Sequence, residues 1–99
     1  MVIDLVVTAP SGLHARPAAN FVKTVQQFVG TVTVRWHGGS ADGYSILDVL
    51  KLGVPAGAHI EVDLDGDDAS ELAAALARLA ASRFEVVPEP ERGHSSATR

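Results

Sequence analysis

The sequence predicts one α+β domain built from an open sheet with helices on one of its faces. Composition is the first observation: 46% of the 99 residues are hydrophobic and 20% are charged, which supports a single core and argues against disorder. The second is that strand-like and helix-like periods follow one another in the order βαββαβα. The third is that each predicted strand has one apolar face, so helices are expected to cover that side only.

A strand, a turn and a long helix are predicted first. Residues 2–8, VIDLVVT, are predicted to form the strand, and residues 9–12, APSG, the turn. The apolar residues of 15–28 then change to a helical period, and Val29 is expected on the same buried face. Gly30 is expected to end this helix in the left-handed conformation.

A hairpin and a short helix are predicted next. Residues 31–36, TVTVRW, alternate as a strand does, residues 37–39 are a tight turn, and residues 40–42 form the return strand. Residues 45–52, SILDVLKL, are predicted to form a short helix. Gly53 is expected to stop it.

The last strand and the last helix have the clearest patterns. Residues 59–65, HIEVDLD, alternate between apolar and acidic side chains, so the apolar set is expected to face the core. Residues 68–71 have the spacing of a capping box and are predicted to open the last helix. The apolar stripe of that helix consists of Leu72, Leu76 and Leu79.

The folded domain is predicted to span residues 1–87. Residues 88–99, PEPERGHSSATR, contain two prolines and almost no apolar side chain, which is typical of a flexible tail. A linker to a further domain of a larger protein is the alternative interpretation of this segment.

Composition excludes several classes of function. The net charge of −4 disfavours nucleic acid as a partner, because phosphate neutralisation dominates that affinity. The chain has no cysteine, which excludes disulfides, thiolate zinc sites and thiol catalysis. No stretch approaches the roughly 20 apolar residues of a membrane span. The N-terminus lacks the basic start and the long apolar core of a signal peptide, so a cytoplasmic protein is predicted. The histidines lack ligand spacing and no glycine-rich nucleotide loop is present, so neither a metal nor a cofactor is expected.

The segment GLHARP, residues 12–17, places a histidine and an arginine where a helix begins. The first N–H groups of a helix have no intrahelical acceptor, and Ala15, the predicted cap residue, has no side-chain acceptor to offer. The N–H groups of Ala15 and Arg16 are therefore available to an anion, and the Arg16 guanidinium fits phosphate oxygens. His14 adds a nucleophilic ring nitrogen. These residues favour a histidine that carries phosphate, with a locally packed turn histidine as the alternative.

Residues 8–23, TAPSGLHARPAANFVK, resemble the active-site segment of the HPr family, the histidine-containing phosphocarriers of the bacterial phosphoenolpyruvate:sugar phosphotransferase system. Residues 45–54, SILDVLKLGV, resemble the second signature of that family. The resemblance implies an open-faced β-sandwich, with a four-stranded antiparallel sheet and three helices on one face. It also implies that His14 accepts a phosphoryl group on Nδ1 from phosphorylated enzyme I and passes it to a sugar-specific enzyme IIA. Such a protein is a monomeric carrier and a co-substrate, not an enzyme.

Ser45 is predicted to be the N-cap of the short helix, with Asp48 three residues later. In many members of the family the matching serine is phosphorylated by a dedicated kinase. The resemblance therefore implies that Ser45 is a regulatory site for HPr kinase/phosphorylase and that a transcriptional regulator is a further partner. A serine that only caps the helix is one alternative. A regulatory relative, in nitrogen-type phosphotransfer or bound to a transcription factor through phosphorylated Ser45, is another.

The short helix also carries apolar residues that the core does not require. Ile46, Leu47 and Leu50 are expected to be partly exposed near His14, and exposed apolar clusters mark docking surfaces. Lys23, on the first helix, is expected to contribute a basic contact to the same partners. Completion of the core by the three apolar residues is the alternative.

Overall fold

The structure is a computed structural model that describes residues 1–89. In this part of the chain the strands are β1 (Val2–Val6), β2 (Thr31–Trp36), β3 (Gly39–Asp42) and β4 (His59–Asp65), and the helices are α1 (Ala15–Val25), α2 (Ile46–Leu52) and α3 (Ala69–Ala81). The predicted order βαββαβα is confirmed. None of these three helices has the length and apolar character needed to cross a bilayer. The predicted tail, residues 88–99, lies outside the described residues except for its first two.

The four strands form one antiparallel sheet in the order β1-β4-β2-β3. β2 and β3 are joined by the two residues His37 and Gly38, whose φ angles are 55° and 84°. Two consecutive positive φ angles match the right-handed twist of the flanking strands. Gly39 already pairs with Trp36, so the return strand begins one residue earlier than predicted.

The core lies between one face of the sheet and the three helices. Ile60, Val62 and Leu64 of β4 are at most 1% exposed, whereas Glu61 and Asp65 between and after them face solvent. Burying each such apolar side chain contributes about 1.5–3 kcal/mol. The helices supply the other half of the core, which includes Phe21, Val25, Val49, Leu72, Leu76 and Leu79.

The predicted end of α1 is wrong. The helix ends at Val25, and the Phe28 N–H bonds back only three residues, to the Val25 carbonyl at 3.1 Å. This tighter turn keeps Phe28 buried but leaves Val29 83% exposed. Gly30 has a φ of 138°, outside the left-handed helical region, and a Cβ there would lie 2.2 Å from the Asp65 carbonyl oxygen. Gly30 is therefore required for the close approach of two chain segments.

Candidate functional site

His14 is the N-cap residue of α1, with extended backbone angles of φ −86° and ψ −164°. The predicted cap, Ala15, is instead the first helical residue. Within residues 1–89 the His14 side chain makes no capping hydrogen bond, and it is exposed. Its carbonyl accepts the first helical bond, from the Ala18 N–H at 2.9 Å. The His14 backbone therefore begins the helix, and its imidazole is open to solvent.

The loop before His14 is held by the segment that follows α2. The Leu13 N–H donates to the Val54 carbonyl at 2.9 Å, and Leu13 is 3% exposed. Gly12 has a φ of 85°, and a Cβ on it would lie 2.5 Å from the Val54 carbonyl oxygen. The His14 N–H donates to the Gly12 carbonyl at 2.9 Å. These contacts fix the backbone on the N-terminal side of the histidine and so determine which residue is the cap.

Two backbone donors are available beside the imidazole. The N–H groups of Ala15 and Arg16 have no acceptor among the described residues, Pro17 has no N–H, and the Ala18 N–H is already bonded. The first turn contains no acidic residue. The Arg16 side chain is exposed and has no carboxylate within ion-pair distance in residues 1–89. A helix N-terminus with open donors and a guanidinium is a favourable site for an anion.

The space in front of His14 is an open cavity of about 250 Å³. Its first wall is the segment from Pro10 to Pro17, with His14 and Arg16. Its second wall is formed by Arg83, Phe84 and Glu85, just after α3. Sequence reasoning missed this second wall, because no pattern in residues 82–89 indicates that the end of α3 packs beside the start of α1. No group of side chains able to hold a metal ion occurs among residues 1–89.

Ser45 is the N-cap of α2, as predicted. Its Oγ accepts the Asp48 N–H at 3.2 Å, and the Asp48 carboxylate accepts the Asp42 N–H at 3.3 Å. Burial and, secondarily, the Asp42 carboxylate raise the pKa of the Tyr44 hydroxyl, so this group stays protonated and donates to the Phe28 carbonyl at 3.1 Å. Ser45 is half-buried, and acidic residues stand three positions before and three positions after it, at Asp42 and Asp48.

Ser45→Ala is expected to lower stability by about 1 kcal/mol, because the Asp48 N–H then loses its side-chain acceptor. For a domain of this size that corresponds to a decrease in Tm of roughly 4–8 °C, measurable by circular dichroism. Ser40→Ala is the control, since Ser40 is an exposed residue of β3 whose substitution should stay within about 0.5 kcal/mol. Equal Tm values for the two variants would show that the cap contributes nothing.

The predicted docking residues differ in exposure. Leu47 is 67% exposed and Ile46 is 37% exposed, whereas Leu50 is half-buried and packs against the core. Lys23 is exposed in the last turn of α1, nine residues from His14, or about 13 Å along the helix. Lys23 therefore lies too far along the helix to touch a phosphate on His14. Any contribution from it is a contact with a partner.

Comparison with known proteins identifies the family. Residues 2–82 match the family model PTS-HPr, described as "PTS HPr component phosphorylation site". The chain belongs to the HPr family. It is a phosphocarrier protein of the phosphotransferase system.

Relatives and solved structures agree with this assignment. The phosphocarrier protein HPr of Buchnera aphidicola is 37% identical over 62 residues, which are 63% of this chain and 73% of that protein. An HPr structure from Thermoanaerobacter tengcongensis has a TM-score of 0.81 at 32% identity and covers 87% of this chain and 97% of its own. An HPr structure from Bacillus anthracis has a TM-score of 0.74 at 31% identity, with 79% and 93% covered.

These similarities confirm the predicted family and the open-faced β-sandwich. The carrier function is confirmed with them, and the regulatory alternative is not favoured. The roles of individual residues stay predictions.

Proposed function

We propose that His14 is the residue that carries the phosphoryl group in this HPr protein. The observation that supports it is the position of an exposed imidazole at the N-cap of a helix whose next two N–H groups have no acceptor among the described residues. Those N–H groups, on Ala15 and Arg16, and the Arg16 guanidinium supply the donors for the phosphoryl oxygens.

The transfer is an in-line displacement at phosphorus. Nδ1 of His14 attacks the phosphoryl group of phosphorylated enzyme I, and a bond forms between Nδ1 and phosphorus. The bond between phosphorus and the donor atom of enzyme I breaks, and its electron pair stays with enzyme I. In the second transfer an acceptor group of enzyme IIA attacks, and His14 leaves. This chemistry is mostly positioning and charge stabilisation, so the protein acts as a co-substrate and needs no cofactor.

The modest number of phosphate contacts suits a carrier. His14, Ala15 and Arg16 are all exposed, so water and salt screen their electrostatic interactions with the phosphoryl oxygens. A deeply buried anion site would stabilise the phosphorylated form too strongly for onward transfer. An exposed site also lets either partner bring its own reactive group into line with the phosphorus.

The proposed partners dock beside this site on α2. Ile46 and Leu47 are exposed on that helix, which packs against α1. A phosphate on Ser45 would add a charge of about −1.5 to −2 next to them, where Asp42 and Asp48 are already negative. Phosphorylation by HPr kinase/phosphorylase would therefore weaken docking to enzyme I and favour a transcriptional regulator with a basic surface. The carrier acts as a monomer in this proposal.

Phosphorylation from phosphoenolpyruvate tests the proposal. The intact chain is incubated with phosphoenolpyruvate and a catalytic amount of enzyme I, and its mass is measured at neutral pH and after acid treatment. We expect one added phosphate on the chain. Acid treatment should remove it from one sample, and addition of unphosphorylated enzyme IIA should remove it from another. Absence of labelling under conditions that phosphorylate a control HPr protein would overturn the proposal.

Leu47→Asp is expected to raise the KM of enzyme I for this protein about ten-fold. The reason is that losing the contact of an apolar docking residue costs about 1.4 kcal/mol of binding free energy. The kcat should change little, since Leu47 does not line the His14 cavity. The control is Val29→Asp, which adds the same charge at another exposed apolar residue, 83% exposed. An equal KM for the two variants would show that docking does not use this face.

A further inference from the structure

The chain leaves α3 through two consecutive residues of unusual backbone conformation. Arg83 and Phe84 have φ angles of 60° and 64°, a region that residues with a Cβ rarely adopt. Phe84 is 1% exposed, and its N–H donates to the Leu79 carbonyl at 2.8 Å. Its carbonyl accepts the buried Asn20 Nδ2 at 2.8 Å. The burial of Phe84 and its bond to α1 fix the conformation of this segment.

This geometry places Arg83 on the wall of the His14 cavity. Arg83 and Arg16 both line it, and both side chains are exposed. Within residues 1–89 neither guanidinium has a carboxylate at ion-pair distance. Glu85 lines the same cavity without pairing with either of them. The cavity thus combines two unpaired guanidinium groups with the imidazole.

We infer that Arg83 is a second positioning residue for the phosphoryl group on His14, a role that rests on the proposed function of His14. Two guanidinium groups facing one small cavity repel each other when it is empty. A phosphoryl group, with close to two negative charges, removes that repulsion and accepts hydrogen bonds from both. Arg83 therefore stabilises the phosphorylated form more than the free form.

The size of the effect follows from the exposure of the site. Charge-assisted contacts at exposed positions are weak, so the expected effect of Arg83 on the phosphorylation equilibrium is about five-fold. Arg83→Lys should recover part of it, since it keeps the charge and loses the fork of donors. Glu85→Gln should act in the opposite direction, because it removes a negative charge from the same cavity.

Competition between two variants for a limiting amount of phosphoenolpyruvate measures the effect of Arg83 on the phosphorylation equilibrium. Wild-type chain and Arg83→Ala are mixed in equal amounts with catalytic enzyme I and limiting phosphoenolpyruvate, and the phosphorylated fractions are separated by mass at neutral pH. We expect the wild type to hold about five times more phosphate at equilibrium. Arg78→Ala, an exposed arginine of α3 away from the cavity, should share phosphate equally. Alanine, like arginine, has a Cβ, so the backbone preference at this position is unchanged.

A second measurement does not depend on enzyme I. Inorganic phosphate is titrated into the unphosphorylated chain, and the NMR shifts of the Ala15 and Arg16 amides give its Kd. Arg83→Ala should raise this Kd by a similar factor, and Arg78→Ala should not. If enzyme I fails to label the chain, the carrier proposal fails, and the phosphate titration still tests Arg83. Equal sharing together with an unchanged Kd would overturn the role of Arg83.

Discussion

His14→Ala is expected to abolish phosphorylation by enzyme I, a loss of more than about 10³-fold, as found when an attacking nucleophile is removed. The other two histidines of residues 1–89 are engaged elsewhere. The His37 ring stacks on Trp36 with centroids 4.9 Å apart, and the His59 Nδ1 lies 2.7 Å from an Asp4 carboxylate oxygen. Neither lies at a helix N-terminus, so His37→Ala and His59→Ala should be labelled as the wild type is.

The experiment compares the three alanine variants by initial rate of labelling and by final mass. The free energy of unfolding of His14→Ala should stay within about 0.5 kcal/mol of the wild-type value, so its Tm should be nearly unchanged. The reason is that the His14 side chain makes no capping bond in the described structure. Loss of labelling with an unchanged Tm separates loss of the nucleophile from loss of the fold. Labelling of His14→Ala at the wild-type rate would identify a different phosphorylation site.

Local patterns were sufficient for most of the fold. The alternation in residues 59–65 and the helical period of α3 are strong because each element has one buried face. Ser45 was predictable as a cap because the acceptor and the N–H it receives lie three residues apart in sequence. The turn at His37 and Gly38 was predictable because glycine adopts the positive φ angles of tight turns without steric cost. In each case the determining contact is local.

Long-range contacts account for what the sequence did not predict. α1 ends at Val25, and Gly30 lies against the Asp65 carbonyl, a contact with a strand far along the chain. The cap is His14, not Ala15, because the preceding loop bonds to Val54. The cavity wall at the end of α3 depends on a bond between α1 and the residues after α3. Periodicity carries no information about such contacts.

Gly12→Ala is expected to be the most destabilising single change near the site. Gly12 has a φ of 85°, and an added Cβ would lie 2.5 Å from the Val54 carbonyl oxygen and 3.0 Å from the Pro55 Cα. Both are backbone atoms, so the neighbouring segment must move. That movement breaks the 2.9 Å bond from the Leu13 N–H to the Val54 carbonyl, which holds the loop before His14. The backbone strain and the overlap together should cost at least about 3 kcal/mol.

Gly57→Ala is a matched control because it introduces the backbone strain of a positive φ without steric overlap of the added Cβ. Gly57 has a φ of 83°, and an added Cβ meets no atom within 4 Å. Its cost should be only that of the left-handed conformation, about 1–2 kcal/mol, a Tm decrease of roughly 4–16 °C. Gly12→Ala should melt well below Gly57→Ala, and its labelling by enzyme I should fall even at temperatures where it is folded, since the backbone before His14 is displaced. Equal Tm values for the two alanine variants would mean that the loop accommodates the Cβ and that close packing against Val54 does not fix the position of His14.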